Sequence, residues 1–409
     1  MKNKLKVDVV TKYFCPVTAG IETNIRETYC HFIEENWSLT VHTSQNTLLD
    51  KNCLPRKCRI KGLKVRRYPF GLFGFIPNID WRQTDFLCLH NFNVFPHFQL
   101  MLFTLFLKII NRKNYSLIIT PHGGFNPEWS VFPPLVAFLK RIYHFTLGVL
   151  LINLSADGVR AVSEWEKQEM VKKHLNPKLI EVIDNGIEDE AFADLENQAS
   201  QQIKNQVKEF GKYIIQIGRI YPIKNYETAI KALVSTPSDL SYVIAGPISD
   251  RNYYDSLIQL ITDLGLEKRV IFVGVVNGID KFYLIKHAQM MVHMALWESF
   301  CNVVHEGLSQ GLVCLVADNT ALPFLIDDNI NGFLIDTKDH QALGQKINYV
   351  LSNKNSPHVL AMQRRNIIYG RKNSWRQVSA RMRDFYQKTR EKIIGSTIED
   401  IHVSSAKIK

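Results

Sequence analysis

Two glutamates eight positions apart, Glu298 and Glu306, mark the stretch of this 409-residue chain best suited to chemistry. A strand-like run, Met290 to Ala295, precedes them and an amphipathic helix follows. They therefore fall at the carboxyl end of a strand, where open α/β sheets place their ligands. Glu298 belongs to the loop, and Glu306 lies about two turns further on, roughly 12 Å at 1.5 Å per residue. Between them Phe300, Cys301 and Asn302 would present backbone N–H groups at a helix start, a ready site for an anion. Carboxylates for hydroxyls beside a phosphate-binding helix start would suit a sugar nucleotide. An ordinary α/β turn with two solvated glutamates fits the same residues.

Upstream, the strand Tyr213 to Ile217 ends in Gly218-Arg219, with Lys224-Asn225 five residues on. Arg219 would grip two phosphate oxygens in a fork and Lys224 would act as a point charge, unless both are solvated cations beside a first strand. In the first half, strands Asp85 to His90 and Leu117 to Thr120 each lead to a histidine, His90 and His122. His122 is followed by Gly123-Gly124, where backbone can approach a ligand closely, so it is the better site candidate. Gly20, in the turn Pro16 to Glu22 after the first strand, serves a phosphate loop or a plain tight turn.

Strand-like and helix-like segments alternate from end to end, as in α/β proteins with parallel sheets. The length suits two domains, and 46% hydrophobic with 22% charged residues is a globular composition. A first domain over 1–190, a Gln/Asn-rich linker over 191–211, a second domain over 212–374, a helix over 375–395 and a frayed polar tail over 396–409 are expected. The seven cysteines form no Cys-x-x-Cys pair, which favours a reduced, cytoplasmic setting and no metal centre. Met1 to Val10 reads as a strand, and the apolar runs Leu100 to Ile110 and Phe145 to Leu154 fall short of the ~20 residues of a membrane span. Most of the helical segments 96–110 and 132–154 is expected in the core.

The formal charge of +11 asks for an anionic partner: nucleic acid, lipid or phosphorylated substrates. No nucleic-acid-binding signature accompanies it, so no nucleic-acid partner is expected. Residues 51–79 carry eight lysines and arginines and no acid, and after the last of these cations comes Phe70-Gly71-Leu72-Phe73-Gly74-Phe75. That pairing suits peripheral contact with an anionic membrane, and equally a strand with solvated lysines and aromatics packed inside.

Several motifs in fixed order resemble the retaining glycosyltransferases of family 4. They are Gly218-Arg219 with Lys224-Asn225, Ala245-Gly246-Pro247, Leu264-Gly265-Leu266 through Gly274, Glu298 through Glu306, and Asn331-Gly332-Phe333-Leu334. Ala161-Val162-Ser163-Glu164 and Ile183-Asp184-Asn185-Gly186-Ile187 match the family's domain-end signals. The resemblance implies a GT-B fold, two Rossmann-like domains with parallel sheets facing a central cleft. It assigns Glu298 to the donor sugar, Glu306 to the ribose, and Arg219, Lys224, Gly218 and the Phe300 to Asn302 amides to the diphosphate. His122 would reach the sugar from the first domain and Gly20 would lie in the acceptor-side loop. No metal or cofactor is implied, because Arg219 and Lys224 would do a metal's electrostatic work.

The implied activity is transfer of a hexose-like unit from a UDP, GDP or ADP sugar to a lipid-linked or polysaccharide acceptor, of lipopolysaccharide or capsule type, at the inner face of the plasma membrane. A sugar-nucleotide epimerase of the same fold and a non-catalytic binding module are the alternatives. Glu298-Ser299-Phe300-Cys301 where Glu-Gly-Phe-Gly is common, Ala19-Gly20 in place of two glycines, and a glycine-free Asp318 to Leu322 loop leave the donor sugar open.

Overall fold

A computed structural model of the chain describes residues 4–17, 20–47, 50–51, 53–129 and 132–406, with backbone alone from 393. Ala19 of the expected glycine loop and residues 407–409 of the expected tail lie outside the described residues. The chain divides into two units, Met1–Gly186 with Trp375–Lys409, and Ile187–Ser374.

The first unit's strands are β1 (Lys6–Val10), β2 (Ser38–Ser44), β3 (Lys57–Ile60), β4 (Leu63–Tyr68), β5 (Phe86–His90), β6 (Ser116–Thr120), β7 (Gly158–Ala161) and β8 (Ile180–Val182). They form one sheet in the order β3-β4-β2-β1-β5-β6-β7-β8. All pairings are parallel except the β3–β4 hairpin, and β3 was not foreseen from the sequence. Every residue of β5 and β6 is buried, the pattern of a sheet covered on both faces. Strand order reverses between β1 and β5, where Val7 pairs with Phe86. Ligands in such sheets bind at that reversal.

The first unit's helices are α1 (Gly20–Glu34), α2 (His97–Ile109), α3 (Pro134–Phe145), α4 (Leu147–Ser155) and α5 (Glu164–Lys172). Ser163 caps α5 as its spacing predicts, its hydroxyl accepting from the Glu166 N–H at 3.1 Å. Two apolar cores cover the sheet, and the second holds Tyr29 and Phe32 of α1 together with Trp375, Val378, Met382 and Tyr386. The latter four belong to a C-terminal helix whose 32 residues, Trp375–Ala406, run past the limit of 395 set for it, into the expected tail. Arg160 of β7 is fully buried and ties this unit together. Its guanidinium donates to Ile183 O (2.9 Å), Asp184 O (3.1 Å) and the Asn24 and Asn185 side-chain oxygens (2.9 and 3.1 Å).

In the second unit the strands are β9 (Lys212–Ile217), β10 (Leu240–Ala245), β11 (Val270–Gly274), β12 (Met290–His293), β13 (Cys314–Ala317) and β14 (Gly332–Ile335). Their parallel order, β11-β10-β9-β12-β13-β14, reverses between β9 and β12, with Ile214 opposite Met290. The helices are α6 (Leu195–Gln198), α7 (Gln201–Phe210), α8 (Tyr226–Leu233), α9 (Arg251–Asp263), α10 (Gly278–Lys286), α11 (Asn302–Ser309), α12 (His340–Ser352) and α13 (Pro357–Arg371), with the Trp375–Ala406 helix numbered α14. The 191–211 stretch is therefore not an unstructured linker. α7 buries Ile203, Val207 and Phe210, an i, i+4, i+7 stripe, and Ser200 caps it.

One sequence expectation about surface fails, and one pair of alternatives divides. Phe75 packs in the core, whereas Leu72 and Phe73 stand exposed, so the 70–75 aromatics divide. α2 and α3, expected mostly in the core, expose much of their apolar length, including Phe106, Ile109, Leu135 and Phe138.

Candidate active site

The reversal between β9 and β12 brings two chain segments to one place. After β9 comes Gly218-Arg219, then the single turn Pro222–Lys224 and Asn225 in the left-handed region at φ +50°. Asn225 fastens this turn to the end of β12, its amide donating to Met294 O at 2.8 Å, while the Leu296 N–H donates to Ile223 O at 2.8 Å. Gln216 of β9 adds a bond to Lys224 O at 3.0 Å and is itself held by Tyr242 at 2.7 Å. Lys224 and Glu298, 74 positions apart, thereby become neighbours.

The Lys224 ammonium donates to Glu298 Oε1 at 2.5 Å, and His293 Nε2 meets the same oxygen at 2.8 Å. Burial alone would raise the Glu298 pKa. Lys224 first, and then His293, more than cancel it and hold the carboxyl down at about 2. Both partners converge on Oε1, which leaves Oε2 as the oxygen on offer to a ligand hydroxyl. The Glu298 N–H donates to Thr320 Oγ1 at 3.0 Å, so the loop is held by backbone as well. His293 is fully buried, ends β12, and went unremarked in the sequence. Its place at a strand's carboxyl end, like that of His90, was the available signal.

Glycines leave room around this cluster. Lys224 Cε passes 3.6 Å from where a Gly218 Cβ would stand, and a Cβ on Gly246 would lie 1.9 Å from Gly218 O. Cys301, at φ +82°, precedes α11 and gives it no side-chain cap, so the first turn keeps its anion-binding polarity. The Phe300 ring instead fills the core against His305, at 5.1 Å between centroids. His293, Glu298 and Cys301 place a nitrogen, an oxygen and a sulfur within 4.8 Å of one another. Lys224 already neutralises that carboxylate. Arg219 is exposed, with Tyr221 under its guanidinium at 5.8 Å.

Glu306, on the buried face of α11, meets Lys281 of α10 at 3.0 Å, and Lys281 also meets Glu188 at 2.8 Å. Glu306 Oε2 is buried without a hydrogen-bond partner. Two carboxylates thus share one ammonium. Burial first, with Glu188 adding to it, pushes Glu306 above the ordinary carboxylate range against the pull of Lys281. Neither Lys281 nor Glu188 was singled out from the sequence.

On the first unit, His90 ends β5 and His122 follows β6 at φ +53°. Their rings stack at 5.1 Å, with His90 Nδ1 and His122 Nε2 at 2.8 Å. His90 Nε2 meets the Tyr29 hydroxyl at 2.9 Å, and Tyr29 meets the Tyr386 hydroxyl of α14 at 2.8 Å. His122 Nε2 is thus engaged, and Nδ1 is the nitrogen left to a ligand. Buried Glu166 accepts from the Gly123 and Val162 N–H groups and braces the turn, with burial raising its pKa to about 7. His90, the weaker candidate by sequence, is a partner of the stronger one. Gly20 begins α1.

Burial lowers the pKa of His97 to about 4 and of His122 and His144 to about 3, and holds His90 well below 6.5. An unfolded chain binds these protons near pH 6.5 and the folded one does not. Their contribution is therefore complete above pH 6.5 and is lost as pH falls toward the folded values. The melting temperature should drop steadily from pH 7 to pH 5 by circular dichroism. A flat profile would contradict neutral buried histidines.

Two family models match the chain, glycosyl transferases group 1 over residues 197–369 and Glycosyltransferase Family 4 over residues 18–191. Its second unit belongs to the group 1 glycosyltransferases and its first to Glycosyltransferase Family 4. A glycosyltransferase of Methanocaldococcus jannaschii, itself uncharacterised, is 24% identical over 89% of this chain and 94% of its own length. The Campylobacter jejuni N-acetylgalactosamine-N,N'-diacetylbacillosaminyl-diphospho-undecaprenol 4-alpha-N-acetylgalactosaminyltransferase is 27% identical over 59% of this chain and 65% of that protein. The structure of Anabaena HepE with UDP-glucose is similar in fold, with a TM-score of 0.72 at 18% identity over 94% of this chain and 100% of that one. The fold of this glycosyltransferase is GT-B.

Proposed function

We propose that this glycosyltransferase moves a hexose unit, with retention of configuration, from a nucleoside diphosphate sugar to a lipid-linked acceptor. The Lys224–Glu298–His293 cluster at the β9/β12 reversal carries this reading. As the bond from the sugar to the diphosphate breaks, negative charge builds on the leaving phosphate. Lys224, Arg219 and the α11 start lie where preorganised positive charge would lower that barrier, without a metal. Glu298 Oε2 would accept from a sugar hydroxyl, and Glu306 would hold the ribose. The family pattern implies a sugar contact for His122, for which Nδ1 would be the available atom. The acceptor oxygen would attack the face from which the phosphate departs, passing its proton to the leaving oxygen, so no protein nucleophile is needed.

The bound UDP-glucose of HepE favours a uridine nucleotide, and the diphospho-undecaprenol acceptor in the Campylobacter relative's name favours a lipid diphosphate. With such an acceptor the enzyme would work in the cytoplasm, peripheral on the inner membrane face. Nucleotide release from UDP-, GDP- and ADP-sugars, followed with undecaprenyl-diphosphate-linked sugars and with EDTA, tests the reading. Acceptor-dependent UDP release that survives EDTA is expected. Donor epimerisation without transfer, or loss of transfer on chelation, would overturn it.

A further inference from the structure

The exposed apolar surface of this protein is concentrated on one part of the first unit. Of the 31 large hydrophobic residues that stand exposed among the described residues, 18 fall within residues 72–154, about a fifth of the chain. Sixteen of them lie on α2, α3, α4 and the 72–76 loop, and Phe95 and Ile110 flank α2. α2 and α3 both pack against α4, and Lys108 of α2 donates to Leu154 O of α4 at 3.0 Å. The loop joins the same surface through Phe73, whose ring meets Phe95 at 6.0 Å and whose carbonyl accepts from Gln99 at 2.9 Å.

Pro134–Ser155 has a mean hydropathy of 1.7, as apolar as a membrane span, yet only 28% of that window is buried. A spanning role is at odds with its packing. The run breaks at Thr146, and Val149, Leu151 and Ile152 of α4 are built into the core on the sheet. What remains is a helix pair lying on the surface, with Leu135, Phe138, Leu139, Ile142 and Phe145 of α3 turned outward. A soluble surface of this size is uncommon unless something covers it.

Charge identifies what covers it. Residues 86–156, which carry these helices, hold five lysines and arginines against the single acid Glu128, and of the five Lys113 is paired with Asp157. No acid occurs between Asp85 and Glu128 or between Glu128 and Asp157, so α2, α3 and α4 carry Lys108, Lys140 and Arg141 with none to pair them. Two copies of such a face would bring like charges together. An anionic bilayer offers both an acyl boundary for the rings and headgroup phosphates for the cations.

We propose that α2, α3, α4 and the 72–76 loop form a face that lies in the interface of an anionic lipid bilayer, with α3 parallel to the membrane plane. This deepens the lipid-acceptor reading by naming the surface that meets the membrane, and the two can fail separately.

The full-length protein should cosediment with phosphatidylcholine vesicles containing phosphatidylglycerol, and far less with phosphatidylcholine alone or in high salt. Phe138→Asp with Leu139→Asp, on exposed positions, should weaken that binding about 10-fold or more while the melting temperature holds. Lys140→Ala with Arg141→Ala should weaken it comparably and flatten the salt dependence. UDP release with a water-soluble acceptor analogue should be unchanged in both. Failure of the native protein to bind these vesicles, or variants that bind as it does, would overturn the proposal. So would a dimer in free solution that Phe138→Asp/Leu139→Asp dissociates, because the face would then join two copies. Loss of soluble-acceptor turnover in the native protein would instead count against the transferase reading.

Discussion

Lys224→Ala should lower kcat by about 10²–10³-fold, with a smaller change in donor KM. The ammonium lies on Glu298 Oε1 with its stem over Gly218, where it would meet the phosphates of the proposed donor. Its charge is worth most when the leaving phosphate has gained charge of its own, so the loss belongs to the transition state. A second consequence concerns the partner left behind. With burial unopposed by Lys224, the Glu298 pKa must climb from about 2, because desolvation is the largest influence on it. In the native protein Glu298 contributes stability above its unfolded pKa, lost only as pH falls through the depressed folded value. The variant should lose that contribution and show an acid limb in kcat at higher pH than the native enzyme. Lys224→Arg keeps the charge, but its planar fork does not fit over Gly218 as a flexible stem does, so recovery should be partial. Steady-state rates with a UDP-sugar from pH 4.5 to 8 decide the matter. A variant within 5-fold of native turnover would remove Lys224 from the mechanism.

The residues proposed for this chemistry were largely readable in order along the chain, and their partners were not. Gly218, Lys224 and Glu298 announce themselves because each follows a strand, and parallel α/β sheets gather strand ends. His293 reads in one dimension as just another β12 residue apart from its place at the strand's carboxyl end, and only the fold of the following loop shows that it meets Glu298. Lys281 sits on an ordinary amphipathic helix, and Glu188 just ahead of a stretch that looked like a connection. The same stretch hid α7, because a stripe of three apolar residues among polar ones is a weak signal at that length. α3 misled in the opposite direction. A run such as Leu135-Val136-Ala137-Phe138-Leu139 is equally apolar whether its neighbour is a sheet or a lipid, and composition does not say which. Of the β3–β4 hairpin only β3 escaped, because charged and half-buried residues alternate over its four positions and mask the strand pattern.

Glu306→Gln separates a ligand-binding carboxylate from a structural one. Glu306 and Glu188 share the Lys281 ammonium, so the amide variant leaves Lys281 one full carboxylate at 2.8 Å. Breaking a buried pair outright costs about 3–5 kcal/mol, and with one partner remaining about 1–3 kcal/mol is expected. That alone would lower the melting temperature and leave the kinetics near native. If the carboxylate also takes a ribose hydroxyl, the variant loses a charge-assisted hydrogen bond. Donor KM should then rise about 10–100-fold, with kcat changing much less, since ribose is held alike in ground and transition states. A 2′-deoxyribose donor should show a similar KM with the native enzyme and little further loss with Glu306→Gln, because the two changes delete the same interaction. A fall in melting temperature with unchanged KM would leave Glu306 a structural partner of Lys281, and the nucleotide would have to be held through Arg219 and the α11 start instead.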